Sequence, residues 1–240
     1  MRKYLAFDIE IRKMLPAGLD DWRSHRPLGI TCAATYNGEG KPQVWFGRTS
    51  EGGIANQMSV SELISLVEYL ERATQQGYTL LTWNGLAFDF DILGEESGLD
   101  GLCAQLAWEH VDMMFHIFCL QGHMLGLDIA AKGMGLPGKP VGMSGELAPR
   151  YWAEGKKAIV LDYVAQDVRT TLDLAYCVER EKELRWISKR GVRQSLSLPR
   201  GWLSVHQALE LPEPDTSWMQ RPLKRRRFTQ WLARGGISGR

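Results

Sequence analysis

A mixed α/β sheet is predicted for this 240-residue chain by three observations. Short runs rich in branched and aromatic residues crowd its start, so three strands precede the first helix. An Asn-Gly pair sits between two of those runs and marks an antiparallel hairpin. A helical stretch, one more strand and then mostly helices follow, the order of a sheet covered by helices.

The first strand is residues 3–10, KYLAFDIE, whose near-continuous apolarity from Tyr4 to Phe7 suits a strand buried on both faces at the centre of the sheet. Residues 11–27 contain Pro16, Gly18 and Pro27 and are expected to form a loop. Residues 29–36 and 43–47 are the next two strands, joined through Asn37-Gly38. Ser59 or Ser61 can cap a helix over 61–75, where Leu63, Ile64, Val67, Leu70 and Ala73 recur at helical spacing. TLLTW (79–83) is a fourth strand, stopped by Asn84-Gly85. From about 86 to 180 the pattern is helical, broken by the Gly- and Pro-rich stretch 133–145. A last helix starts near Ile159 or Asp162, with an apolar stripe through Val164, Val168, Leu172 and Ala175. Residues 190–201 suggest a linker to a small terminal unit: an extended WLSVHQALEL, the turn PEPD and an amphipathic KRRRFTQWLARGG.

The composition excludes several classes. With 44% hydrophobic residues the chain is not disordered as a whole, and no apolar run approaches a membrane span. Asp8 and Glu10 break the opening apolar run too early for a signal peptide. Cys32, Cys103, Cys119 and Cys177 form no CxxC pair, which suggests reduced thiols in a cytoplasmic protein. The net charge of +1 conceals an asymmetry: residues 1–180 hold 16 Lys/Arg against 23 Asp/Glu, residues 181–240 hold 13 against 5. An acidic body with a basic end suits a polyanionic partner, and equally a solvated basic helix.

Three acidic clusters carry the chemistry. Asp8 and Glu10 lie two apart on a strand and so project from the same face at its C-terminal end, where their repulsion would be relieved by a hard divalent cation. Asp89 follows the fourth strand and its Asn84-Gly85 turn, at the edge where open α/β sheets bind ligands. Asp91 competes for that role, but it sits roughly 200° around a helix from Asp89, so both cannot face one ion. Tyr163 and Asp167 are four apart on the last helix and share a face.

Taken together, FDIE, NGLAFD and YVAQD resemble the three motifs of the DEDD superfamily of 3′→5′ exonucleases, which share the ribonuclease H-like fold. The likeness is greatest to the proofreading domain of family B DNA polymerases and spans about residues 3–180. The tyrosine four residues before Asp167, with no histidine five before it, indicates the tyrosine (DEDDy) branch.

This resemblance implies a metal-dependent 3′→5′ exonuclease, with Asp8, Glu10, Asp89 and Asp167 holding two Mg²⁺ or Mn²⁺ ions and Tyr163 orienting the attacking water. Trp83, Asn84 and Phe88 would place the terminal nucleotide, although Phe88 fits core packing equally well. Relatives often carry Thr directly after the DxE pair. Here Ile11 and then Arg12 and Lys13 follow, exchanging a hydroxyl near the 3′ end for contacts to phosphate. The substrate implied is the 3′ end of a single strand, DNA in preference to RNA, the alternatives being an exoribonuclease or a catalytically weak nucleic-acid-binding module of the same fold. His110, Asp112 and His116 are too few for a zinc site and suggest structural partners. The expected division is a ribonuclease H-like domain over 1–185 and a basic extension over 186–240. In that extension Lys224 to Arg227, interleaved with Phe228 and Trp231, could bind a nucleic acid or a protein partner, or dock on the body.

Overall fold

A computed structural model describes all residues except 1, 17, 20, 139–141 and 238–240. Strands β1 (Tyr4–Ile11), β2 (Ile30–Tyr36), β3 (Gln43–Phe46), β4 (Thr79–Thr82) and β5 (Val111–Asp112) form one sheet in the order β3-β2-β1-β4-β5. β1 is central, as its apolar run predicts. It pairs antiparallel with β2 and parallel with β4, so the sheet is mixed. Asn37 makes the hairpin turn between β2 and β3, its side-chain oxygen accepting from the Glu39 amide. The two-residue β5 was hidden inside an apparently helical stretch, being too short to show a period of two.

Helices cover both faces. Alternation along β1 sends Leu5, Phe7, Ile9 and Ile11 into a core with α1 (Val60–Gln75), α2 (Asp89–Ser97) and α3 (Asp100–Glu109). Tyr4 and Ala6 point the other way, into a core shared with the 25-residue α7 (Lys157–Glu181). Asp8 and Glu10 continue this second set and therefore face α7. Helix α1 is started by Ser59, which accepts from the Glu62 amide while Glu62 caps the Ser59 amide. Three further helices complete the body: α4 (Met113–Gln121), α5 (Leu127–Gly133) and α6 (Ala148–Ala153).

The C-terminal region departs from expectation. The supposed linker contains a strand, since β6 (Glu183–Ile187) and β7 (Arg193–Ser197) form a hairpin, and the division at 185/186 falls inside β6. The extended WLSVHQALEL instead contains α8 (Val205–Leu209), capped by Ser204 and Gln207. Phe228, in the short α9 (Arg226–Thr229), and Trp231, in the 3₁₀ helix Gln230–Gly235, are only 2% exposed. Both join the core beneath α2, α3 and α4, so neither is available to stack on a base. The extension thus docks on the body. Its positive charge is partly internal: Arg225 donates to the carbonyls of Leu209, Leu211, Pro212 and Cys119. Among the described residues, no helix is long and apolar enough to cross a membrane.

Candidate active site

Five side chains from three distant stretches line one cleft of about 610 Å³: Asp8 and Glu10 at the end of β1, Asp89 in the first turn of α2, and Tyr163 and Asp167 on α7. The secondary structure explains the meeting. Strand alternation turns Asp8 and Glu10 toward α7, and the helical repeat puts Tyr163 and Asp167 on the buried side of α7 beside Val164 and Val168. Asp89 arrives through the turn after β4. There Asn84 takes a left-handed conformation (φ 75°), and a Cβ on Gly85 would lie 2.5 Å from the Thr82 hydroxyl, so this glycine is required. Ile11, Trp83, Asn84 and Phe88 line the same cleft. Arg12 does not. It is exposed and borders a separate cavity with Asn56 and Trp152, while Lys13 lines the carboxylate cleft in its place. Trp22 and Glu146 are further lining residues. Trp22 lies in the loop between β1 and β2, where no periodicity signals it.

The environment is adverse to charge. Asp89 begins a helix, whose dipole favours a carboxylate, and its Oδ1 accepts from the Ile9 amide at 2.9 Å. Burial prevails nonetheless and, with the nearby Asp112, pushes this carboxyl up to about 7. A hydrogen bond with Asp8 acts against that rise. Tyr163 is driven far above an ordinary phenol by burial and then by the charges of Asp167, Glu10 and Asp8. Its hydroxyl stays protonated at working pH. A protonated phenol of this kind is a hydrogen-bond donor.

All four acids offer carboxylate oxygen, the donor that hard cations such as Mg²⁺ and Mn²⁺ take. They fit such ions in kind. Their present neighbours include one another, Tyr163 and, for Asp89, the Ile9 amide, and among the described residues no three Asp, Glu, His or Cys side chains are already drawn together as a ligand group.

Asp91 is not a competitor for this site. Wholly buried, it pairs with Arg23 at 3.1 Å, Arg26 at 2.6 Å and Arg234 at 2.5 Å. Asp112 is structural as well. It receives the amides of Asn84 and Leu86 and caps α4 through Phe115, thereby fixing the turn that delivers Asp89. His110 contacts Thr82 and the Ala107 carbonyl, and His116 accepts from the Leu203 amide.

The pH dependence of stability follows. Burial lowers His110 to about 4, whereas the unfolded residue titrates near 6.5. Stability is therefore lost as pH falls from 6.5 to 4. Asp112, raised to about 6, acts in the opposite sense between 6 and its unfolded value near 4. Comparing a variant with the parent isolates the histidine. In urea titrations His110→Gln is expected to flatten the acid decline by about 2–3 kcal/mol. An unchanged decline would contradict a neutral, buried His110.

Residues 104–204 match a protein family described as "Predicted 3'-5' exonuclease related to the exonuclease domain of PolB". That stretch carries Tyr163 and Asp167, while Asp8, Glu10 and Asp89 lie before it. No curated protein matches the chain in sequence. Among solved structures, the family B DNA polymerase from the hyperthermophilic archaeon Pyrobaculum calidifontis is similar at a TM-score of 0.54 and 20% identity. The similarity covers 75% of this chain and 25% of the polymerase chain. The fold is thus a ribonuclease H-like mixed sheet flanked by helices, similar to the exonuclease domain of a PolB polymerase.

Proposed function

We propose that the protein is a metal-dependent 3′→5′ exonuclease that removes nucleotides from a single-stranded end, DNA in preference to RNA. The observation that carries this reading is the convergence of Asp8, Glu10, Asp89 and Asp167 with Tyr163 on one cleft. Clustered negative charge beside a phosphodiester repels it unless cations intervene, so a module that merely bound nucleic acid would gain nothing from such a lining. Two divalent ions held by these carboxylates would neutralise charge on the phosphate and leaving oxygen and lower the pKa of the attacking water.

The chain's own residues supply the rest. The four carboxylates would hold the ions, and Tyr163, kept protonated, would fix the water's position by hydrogen bond. The rings of Trp83 and Phe88 flank the cleft where a terminal base would lie, and Trp83 is steadied by its indole N–H on the Leu125 carbonyl at 3.1 Å. Lys13 and the exposed Lys224, Arg226 and Arg227 suit contacts to phosphates. The buried thiols and the absence of a spanning helix among the described residues are compatible with the cytoplasmic placement that belongs to this proposal.

The test is to incubate 3′- and 5′-labelled DNA and RNA oligonucleotides with Mg²⁺, Mn²⁺ or EDTA. Stepwise shortening from the 3′ end that requires the metal is the expected result; shortening in EDTA, or from the 5′ end, overturns the proposal. RNA degraded faster than DNA would reverse the substrate preference alone. Tyr163→Phe is expected to reduce kcat by roughly 10–100-fold with KM little changed, since a positioning hydrogen bond is worth a few kcal/mol in the transition state. A phenylalanine variant as fast as the parent would remove Tyr163 from the mechanism.

A further inference from the structure

We propose that Trp22 is a substrate-positioning residue, which sets the Phe88 ring against the terminal base and is itself held by Asp91 and the C-terminal segment. The inference rests on the exonuclease reading above and names a determinant of how that site grips its substrate. Trp22 opens the 3₁₀ turn Trp22–His25 and meets Phe88 edge-on, with ring centroids 5.2 Å apart and planes at 71°. Both rings line the carboxylate cleft. The guanidinium carbons of Arg23 and Arg26 stand 4.6 and 4.9 Å from the Trp22 ring centroid, as cations on an aromatic surface do. Those two arginines are the ones that Asp91 binds, and Asp91 lies two residues after Asp89.

The remaining support comes from the far end of the chain. Arg234 completes the Asp91 cluster, Trp231 donates to the Leu86 carbonyl at 2.6 Å, and Arg23 reaches the carbonyls of Ala87 and Arg227. Residues 86–91, which carry Phe88 and Asp89, are therefore clasped from behind by the C-terminal segment and from the side by the turn bearing Trp22. Phe88 stands at the start of α2 with an irregular backbone (φ −134°, ψ −73°), and its ring packs on Trp22. A ring steadied in this way can stack on a base with little loss of rotamer freedom.

The test compares binding of a single-stranded DNA oligonucleotide ending in a normal nucleotide with the same strand ending in an abasic one. Fluorescence anisotropy would be read with Ca²⁺ in place of Mg²⁺ for the full-length parent, Trp22→Ala, Trp22→Phe and Arg234→Ala. The parent is expected to prefer the base-bearing end by about tenfold, the order of one stacked base. Trp22→Ala should lose that preference while binding the abasic strand as the parent does. Trp22→Phe should retain it, and Arg234→Ala should weaken it. A Trp22→Ala protein that keeps the preference while the parent degrades DNA overturns this inference and spares the nuclease reading. A parent that neither binds nor degrades either strand overturns both.

Discussion

Replacing Asp8 with alanine is expected to reduce metal-dependent 3′→5′ degradation at least about 10³-fold while leaving the fold intact, with Asp167→Ala following it closely. The size follows from the proposed chemistry: ions held by these carboxylates would supply most of the charge stabilisation at the phosphate, and losing one carboxylate would weaken their hold. The fold should survive because Asp8 is only half-buried at the end of β1 and belongs to neither apolar core. Asp89 is held up to about 7 by burial and by neighbouring charge, and Glu10, Asp8 and Asp167 all act on the Tyr163 hydroxyl in the same direction. Easing the charge around Tyr163 should leave Asp8→Ala close to the parent in resistance to urea in EDTA. Initial rates on a 5′-labelled strand, measured beside urea midpoints, check both halves. An Asp8→Ala protein with more than a tenth of the parent rate contradicts the assignment.

Asp91→Ala should behave in the opposite way. It lies two residues from Asp89, yet its expected effect is on folding, a loss of about 3–5 kcal/mol. Three arginines converge on this fully buried carboxylate, and its removal leaves the largely buried charges of Arg23 and Arg26 poorly paired, while Arg234 can turn to water. Arg26 has a second partner in Glu95 and Arg234 one in Asp100, so part of the cluster survives. Arg23 depends more heavily on Asp91, because its other acidic contact, with the half-exposed Asp21, is longer at 3.5 Å. Chemical unfolding monitored by tryptophan fluorescence gives the number. A loss below about 1 kcal/mol would show the cluster to be no stronger than an exposed ion pair.

The contrast between Asp89 and Asp91 shows what the sequence could and could not convey. Helical geometry already separates the two side chains, and strand alternation already pairs Asp8 with Glu10, because both rules act within a few residues. The i, i+4 relation of Tyr163 and Asp167 is equally local. The partners of Asp91 are not: they come from a loop without periodicity and from a segment more than 130 residues away, so nothing nearby announces them. The basic C-terminus was ambiguous for a related reason. Arginine clusters usually mean solvent or a polyanion, yet Arg225 and Arg234 direct their donors to carbonyls and buried acids, and the aromatic residues between them fill the core. The β6–β7 hairpin resembled a linker because its second strand, RQSLS, is mostly exposed and carries no apolar face. Trp22 was missed altogether, since a tryptophan between two prolines in a loop is placed only by the contacts it makes in three dimensions.

Everything claimed for the site depends on acids from β1, α2 and α7 acting as one set of ligands. Titrating the protein with Mn²⁺ and following the free ion by electron paramagnetic resonance tests this without recourse to turnover. The parent is expected to bind Mn²⁺, and Asp8→Asn, Glu10→Gln, Asp89→Asn and Asp167→Asn should each weaken that binding by tenfold or more, whereas Asp128→Asn, a partly exposed acid on α5, should not. No Mn²⁺ bound by the parent, or full affinity retained by any one of the four variants, would contradict the account.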